Sequence, residues 1–518
     1  MPTYKHGIYA RAESSTNTTI NTSAVGVPVI VGTAGGFGAT KELPVNELKL
    51  ISSWEEYVST FGYSAPSVQV GNIDKVGQLK KHNFTLDEFA YTYFQLYNGE
   101  AAVFANVLDP STHKKESEAV KAVTFDEKTG RAIFSDSLVI PSSLKLSYKE
   151  TQESEAVEYK FNTDFKAIVE NNLLYLQAIA DGSGAWKVQT GKIITVDKYD
   201  VLDPSAVSSS DIIGAYNAQT GKRTGLELIK QVFQQFRLVP GVLLAPYYSK
   251  IPAIATALSA LADNEEGVFQ GIAVADLPTG TETVGGVSLQ GPAEYSSAYS
   301  WKADKNLSYE NLVLCWPAVC TDGVFYNMSP HFVGVMVATD ETQDGYPNVS
   351  PSNQAAKITG MKRADGESVW LTHAQANQLN LADGIVTCLN FLSWTMWGNR
   401  TSVYPTETDP SKNFISNVRT IRWLLNTLIL NYWSRVDMPV KRVNIEGLIN
   451  SANNFLNGLQ NNGVILGAQV YFNSADNKQE DINNGKFKIR LKWCGTPPME
   501  VLEILQEYDA SYLSTLFA

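Results

Sequence analysis

The tightest constraint in the sequence is a strand that has to be buried on both faces. Residues 25–34, VGVPVIVGTA, are almost continuously apolar and are bounded by turn signals. A half-exposed strand would alternate apolar and polar residues. A run without alternation fits a sheet covered on both sides. The stretch around it repeats the theme. Residues 48–61 read as a strand, a serine cap and a short helix, with Ser53 and Glu56 at capping-box spacing. Residues 84–97 place Phe84, Phe89, Tyr93 and Leu96 near one helical face, and AAVFANVL at 101–108 is another strand. After residue 200 the same rhythm returns: a helix over 225–237, a strand over 241–245, a helix over 251–262, a strand over 268–275, and LVLCWPAV at 312–319. Strands alternating with helices predict a mostly parallel α/β sheet with flanking helices.

Residues 109–200 break that rhythm. They are polar, charged and strand-like, as in LKLSYKETQESEAVEYKF, and Pro110 and Pro204 mark the edges. This stretch reads as a β-rich insertion. At the start, residues 1–24 are polar with one short strand-like patch, Gly7, Ile8, Tyr9 and Ala10, which cannot make its own core. The last third differs again. Helical patterns cover 414–433 and 444–461, and the second stops at Asn461-Asn462-Gly463. Then Lys486-Phe487-Lys488-Ile489-Arg490-Leu491-Lys492-Trp493 alternates basic and apolar residues, one face buried and one cationic. Gly495-Thr496-Pro497-Pro498 follows and leads into EVLEILQEY, so the expectation is a hairpin of 486–493 with 500–508 that sets Glu503 and Glu507 beside the Lys/Arg row. The predicted organisation is an arm (1–24), an α/β core (25–108 plus 201–385), an outward-facing β-rich insertion (109–200), an α+β C-terminal assembly domain (386–508) ending in that hairpin, and a C-terminal arm (509–518).

Composition and motifs exclude much chemistry. The 518-residue chain carries a net charge of −12, which argues against nucleic acid as a partner. Residues 386–518 hold 12 basic and 11 acidic side chains, net +1, leaving −13 to the residues before them. No apolar run of about 18 residues is present, so no membrane insertion is expected, and the N-terminus lacks the apolar core of a secretory signal. Cys315, Cys320, Cys388 and Cys494 are expected to stay reduced in a cytosolic folding compartment, and five histidines without HxxxH spacing predict no metal site. The turn Gly35-Gly36-Phe37-Gly38 lacks the Gly-Lys-Ser/Thr of a phosphate loop, so no nucleotide or other cofactor is expected. There is no Gly-x-Ser-x-Gly elbow. His331, inside MSPHFVGVMVA, reads as a core histidine and His373 as a helix-start residue. Asp340, Glu341 and Asp383 read as turn and cap residues. The chain is therefore expected not to be an enzyme; the rival reading is an α/β hydrolase with a β-insertion.

Several segments, in order, resemble the contractile tail sheath proteins of myophages and related contractile particles. They are HGIYARAE followed by AVGVPVIVGTA; the strand and Trp/Phe-Gly helix at 48–62; WPAV and SPHFVGVMVATD with Asn353 and Lys357 after them; GIVTCLNFLSWTMWGNRT with Trp397, Gly398, Arg400 and Thr401; and the ending punctuated by Gln479, Asp481, Gly485, Pro498 and Glu500. The resemblance implies a core that is subtilisin-like in fold and a helical homopolymer around an inner tail tube. It also implies baseplate and tail-terminator partners, a place in the virion tail, and assembly in the host bacterial cytoplasm. The insertion matches no shared core, and Ala-Arg-Ala-Glu replaces a run of acids after the opening Gly-Ile-Tyr.

In that setting an arm that cannot fold alone and a hairpin with free edges are joints rather than hazards. The expected strand-exchange residues are Gly7, Ile8, Tyr9, Ala10, Phe487, Ile489, Leu491, Trp493, Val501, Leu505, Tyr512 and Leu513. Residues 411–450 carry a local charge of +4. Within them Arg419, Arg422 and Arg435 are expected to face the tube.

Overall fold

The structure is a computed structural model that describes residues 26–68, 80–117, 120–136, 138–151, 153–170, 173–263, 268–439 and 441–517. The arm patch Gly7–Ala10 lies outside the described residues.

The strand Val27–Gly32 sits inside a six-stranded sheet, and all six of its residues are buried. In spatial order the strands are Leu312–Cys315, Ile272–Asp276, Pro240–Leu244, Val27–Gly32, Ala102–Asn106 and Leu48–Ile51. The first five run parallel and Leu48–Ile51 closes one edge antiparallel. Alternate residues serve opposite faces. Val29, Val31, Leu243 and Ala273 join the cluster against the helix Pro252–Asp263. Ile30, Leu244, Val274 and Val313 join the cluster against the helices Trp54–Phe61 and Met328–Glu341. Both faces are covered, which is why the strand reads as an unbroken apolar run. A second six-stranded sheet, which includes Ala318–Thr321, Val324–Tyr326 and Gly360–Lys362, flanks this body.

Local signals shape the helices. Ser53 accepts a hydrogen bond from the Glu56 backbone N–H at 3.2 Å, while the Glu56 carboxylate turns to Ser52 instead of completing the box. The 84–97 segment is α-helical over Thr85–Ala90 and widens to a π-helix over Tyr91–Leu96. The 225–237 segment begins as a 3-10 helix, Gly225–Gln231, before the short α-helix Val232–Phe236.

The described residues of 114–202 hold nine strands. Seven of them form a four-stranded sheet (Val157–Tyr159, Leu146–Tyr148, Ile193–Val196, Lys121–Thr124) and a three-stranded sheet (Phe165–Glu170, Leu173–Ala178, Arg131–Phe134), with their own buried cluster. The chain enters and leaves through one paired neck, Lys114–Glu116 against Asp200–Leu202, with Lys114 and Asp200 2.5 Å apart. Val201 packs into the β cluster and Leu202 into the body, so the seam falls between adjacent residues.

The C-terminal part departs from the expected division. The assembly domain is expected to begin at 386, yet Val386, Cys388, Met396, Ile415 and Val418 pack into the body cluster, and the Val386 N–H donates to Leu314 at 2.8 Å. Packing changes inside the helix Ile415–Tyr432 instead. From Trp423 onward it joins the helix Arg442–Asn461 and the strand Ile465–Phe472 in a separate cluster. The expected hairpin is also corrected. The basic strand Ile489–Gly495 pairs antiparallel with Ile465–Phe472, and residues 496–509 form no regular structure. A strand needs a partner that offers both a hydrogen-bonding edge and an apolar face, and Ile465–Phe472 is already seated on the helix Arg442–Asn461 with Ile465 and Val470 buried. Pro497 and Pro498 carry the chain away from the sheet.

Candidate functional site

The charged residues singled out in the helix Ile415–Tyr432 are not a surface. Arg419 and Arg422 are each about 5% exposed. Arg419 grips the Asp340 carboxylate with both terminal nitrogens, one of them 2.9 Å from Oδ1. Burial pushes the Asp340 carboxyl up against the opposing pull of Arg419. Arg422 donates to the Ala262 carbonyl at 3.1 Å, the Gly271 carbonyl at 3.0 Å, Asp263 at 2.8 Å and Glu310 at 3.3 Å. The expectation that these two face a tube is therefore wrong. They share the helix face that carries the buried Ile415 and Val418, where a cation persists only with its donors satisfied. Asp340 is the counterpart of Arg419 rather than a turn residue. Arg435 is exposed, on the tip that joins the two long helices.

That tip combines exposed apolar and basic residues. Trp433, Val436, Met438 and Val443 are large apolar side chains left in solvent, beside Arg435, Lys441 and Arg442. Arg442 is 90% exposed and pairs with Glu446 at 2.6 Å.

The basic strand keeps its predicted alternation. Phe487, Ile489, Leu491 and Trp493 are half-buried, and Lys486, Lys488, Arg490 and Lys492 are exposed. Phe487 stacks on Phe472 with ring centroids 5.5 Å apart. The Lys/Arg row meets Asp476, which Arg490 grips with two nitrogens, rather than Glu503 and Glu507. Asn453 covers the outer edge of Ile465–Phe472 by bonding both the N–H and the carbonyl of Val470, at 2.7 and 2.9 Å. The outer edge of Ile489–Gly495 carries no strand partner among the described residues.

Beyond Gly495 the chain becomes an arm. Met499, Val501, Leu502, Ile504, Leu505, Tyr508, Tyr512, Leu513 and Leu516 are between 54% and 90% exposed. Residues Ala510–Phe517 form a 3-10 helix standing in solvent. Apolar side chains at this density on one segment exceed the scattered exposure usual on a folded surface. One residue of the arm root is held. The Arg400 guanidinium grips Glu500 through Nε at 3.0 Å and Nη2 at 2.5 Å. A groove of about 780 Å³ separates the arm root from the body, lined by Asn353, His373, Asn377, Trp397 and arm residues 496–502. Sequence reading missed this pair as a pair, although Arg400 and Glu500 both stood among the motif residues.

The acid- and serine-bearing end of the parallel sheet is sealed. Ser329 donates its hydroxyl to Asp276 at 2.5 Å and its N–H to the same carboxylate at 2.8 Å. Glu88 accepts from the Asn327 N–H at 2.5 Å, and burial pushes its carboxyl up to about 7. Lys250 pairs with Glu282 at 2.8 Å. Ser329 is wholly buried, so it lacks the access a nucleophile requires. His331, one helical step on, is buried and pushed down to about 3, so it stays neutral beside the Tyr97 hydroxyl 3.1 Å away. Among the described residues no cluster of His, Cys, Asp and Glu is arranged to hold a metal ion, and no helix is long and apolar enough to cross a membrane.

No protein-family model matches the chain. It is 30% identical over 430 residues to the tail sheath protein of Burkholderia phage BcepMu, an overlap of 81% of this chain and 84% of that one. It is 25% identical over 318 residues, 60% of this chain and 75% of the relative, to a putative prophage major tail sheath protein of Pseudomonas aeruginosa strain UCBPP-PA14. Its fold is shared with the helical sheath of the anti-feeding prophage solved in the contracted state, at a TM-score of 0.54 and 15% identity, covering 98% of this chain and all 100% of that one.

Proposed function

The chain belongs to the tail sheath protein family and is a structural subunit of a contractile tail sheath, and on that premise we propose that it polymerises helically around an inner tail tube by lending its arms to neighbouring copies. The observation that carries this reading is the arm. Residues 499–516 present a dense set of apolar side chains that no described residue of the same subunit covers. The receiving surface is the two-stranded sheet Ile465–Phe472 with Ile489–Gly495, through its open edge and its basic row. The arm supplies Glu503, Glu507 and Asp509 against Lys486, Lys488, Arg490 and Lys492. Residues 7–10 of another copy are the second strand donor. Head-to-tail donation that does not close a ring builds an open helix.

The tip at 433–443, which carries Arg435, is the tube-facing element in place of the buried Arg419 and Arg422. Exposed charges are weak and salt-screened, which suits a contact that must release when the sheath shortens. The parallel-sheet body stands for the family's subtilisin-like domain without its chemistry, a non-enzymatic role consistent with the sealed Ser329. The β-rich insertion faces outward. Contraction draws on a kinetically trapped extended state rather than on a cofactor. Baseplate and terminator proteins cap the polymer, which is assembled in the host bacterial cytoplasm and carried in the virion.

The test is negative-stain microscopy of purified full-length protein beside variants lacking residues 1–20 or 501–518. Full-length protein should form tubes, and both truncations should remain folded monomers. Normal sheaths from either truncation would remove that arm from the proposal.

A further inference from the structure

We propose that Arg400 and Glu500 are a positioning pair that fixes where the C-terminal arm leaves the subunit, so that residues 501–517 reach a second copy of this chain from a set origin. The inference rests on the arm reading given above and adds to it a residue pair with one task.

The guanidinium of Arg400 is engaged on every side. Nε and Nη2 hold Glu500 at 3.0 and 2.5 Å, and Nη1 holds Asn413. The Phe414 ring lies 3.8 Å and the Tyr404 ring 4.7 Å from the guanidinium carbon. The segment that carries Arg400 is itself anchored. Gly398 passes so close to Val386 that a Cβ there would lie 2.8 Å from its Cα. Thr401 bonds to Lys412 at 3.0 Å and to Asn413 at 2.8 Å. The buried Lys302 ammonium donates to the carbonyls of Asp383, Ser402 (2.9 Å) and Tyr404 (2.7 Å). Arg400 therefore belongs to the rigid body and not to a loop.

On the arm side, Gly495 lies against Asn417, whose Oδ1 would stand 2.4 Å from a Cβ, so the strand end is pinned as well. Between Gly495 and Glu500 the chain is Thr496-Pro497-Pro498-Met499, and two prolines leave few soft dihedrals. Two fixed ends and a stiff span define one exit. The side chains of the pair are 11% and 19% exposed, although the main chain at Glu500 lies open. Past this residue Val501, Leu502, Ile504 and Leu505 stand exposed.

The occupant at the far end is a second copy because the charges match. The arm after Glu500 carries Glu503, Glu507 and Asp509, and the open-edged strand of this same chain carries Lys486, Lys488, Arg490 and Lys492. A tether with a fixed origin concentrates its free end near the target, whereas one released at Gly495 dilutes it over a larger volume.

The experiment compares full-length wild type, E500A, R400K and a 501–518 deletion. The readouts are thermal unfolding, amide exchange over residues 496–500, and the polymer fraction by sedimentation. E500A should unfold at the wild-type temperature, exchange faster over 496–500, and lose about tenfold in polymer. R400K, which cannot form the bidentate grip, should follow it. The proposal is overturned if E500A and R400K polymerise like wild type while the deletion does not; the arm reading then stands. If the deletion also polymerises normally, both fall. A drop in unfolding temperature that by itself accounts for the polymer loss would make the pair merely structural and overturn the assignment too.

Discussion

Arg419 and Arg400 both grip a carboxylate with two nitrogens, and their surroundings give the two pairs different consequences. Arg419 and Asp340 are 4% and 8% exposed and join two long helices deep in the molecule. Arg400 and Glu500 join the body to a segment that otherwise touches little. A charge pair inside the body holds the subunit together, because either partner alone is stranded away from water. A pair at the arm root leaves its carboxylate a route to solvent when broken, so it governs where the arm points more than whether the body folds. The body should thus answer to buried charge and to pH, and the arm to assembly.

The largest effect should come from R419M, which strands Asp340. We expect a loss of about 3–5 kcal/mol in denaturant unfolding, with most of it recovered in R419M/D340L, where both charges go together. An R419M protein as stable as wild type would erase the distinction between the two pairs.

The pH profile should come next. Asp87 is buried, accepts from the Tyr57 hydroxyl at 2.7 Å and the Ser64 N–H at 2.9 Å, and is pushed up to about 7 by burial. The folded state keeps a proton that the unfolded state has given up. The stabilisation is complete below the ordinary carboxylate range and is lost as pH rises through about 7, at about 1.4 kcal/mol per pH unit. D87N should flatten that slope between pH 5 and 7.5, read from denaturation midpoints. On the acid side, His82 and His331 are held near 3 by burial. The stability present above the ordinary histidine value should fall as pH drops below it.

The arm and the tip should barely register in stability. L505D and the double reversal R435E/R442E should each stay within about 0.5 kcal/mol of wild type. L505D should nonetheless abolish polymer, and R435E/R442E should weaken association with the tube in a salt-dependent way. A stability loss comparable with that of R419M in either variant would place the residue inside a packed core and break the comparison.

Where a residue's role depended on its neighbours in sequence, it was legible. The unbroken VPVIVG run had to be covered on both faces. The alternation over 486–493 had to be one face in and one out, and the polar block after residue 109 had to pack by itself. Cluster membership at the seam shows how local that information is, with Val201 and Leu202 facing different cores.

Where the role depended on a partner far along the chain, sequence was mute or misleading. Six basic residues across 411–450 looked alike, and only packing separated the buried Arg419 and Arg422 from the exposed Arg435 and Arg442. The strand at 486–493 announced its faces but not its partner, because alternation fixes which side chains are buried and leaves the pairing edge open. Arg400 and Glu500 were each visible as motif residues, but their ion pair spans 100 positions. By itself the sequence settled periodicity, burial pattern and family, since those follow from local chemistry. Pairing, the fate of each charge and the exit of the arm were decided by tertiary structure alone, because each requires two distant surfaces to meet.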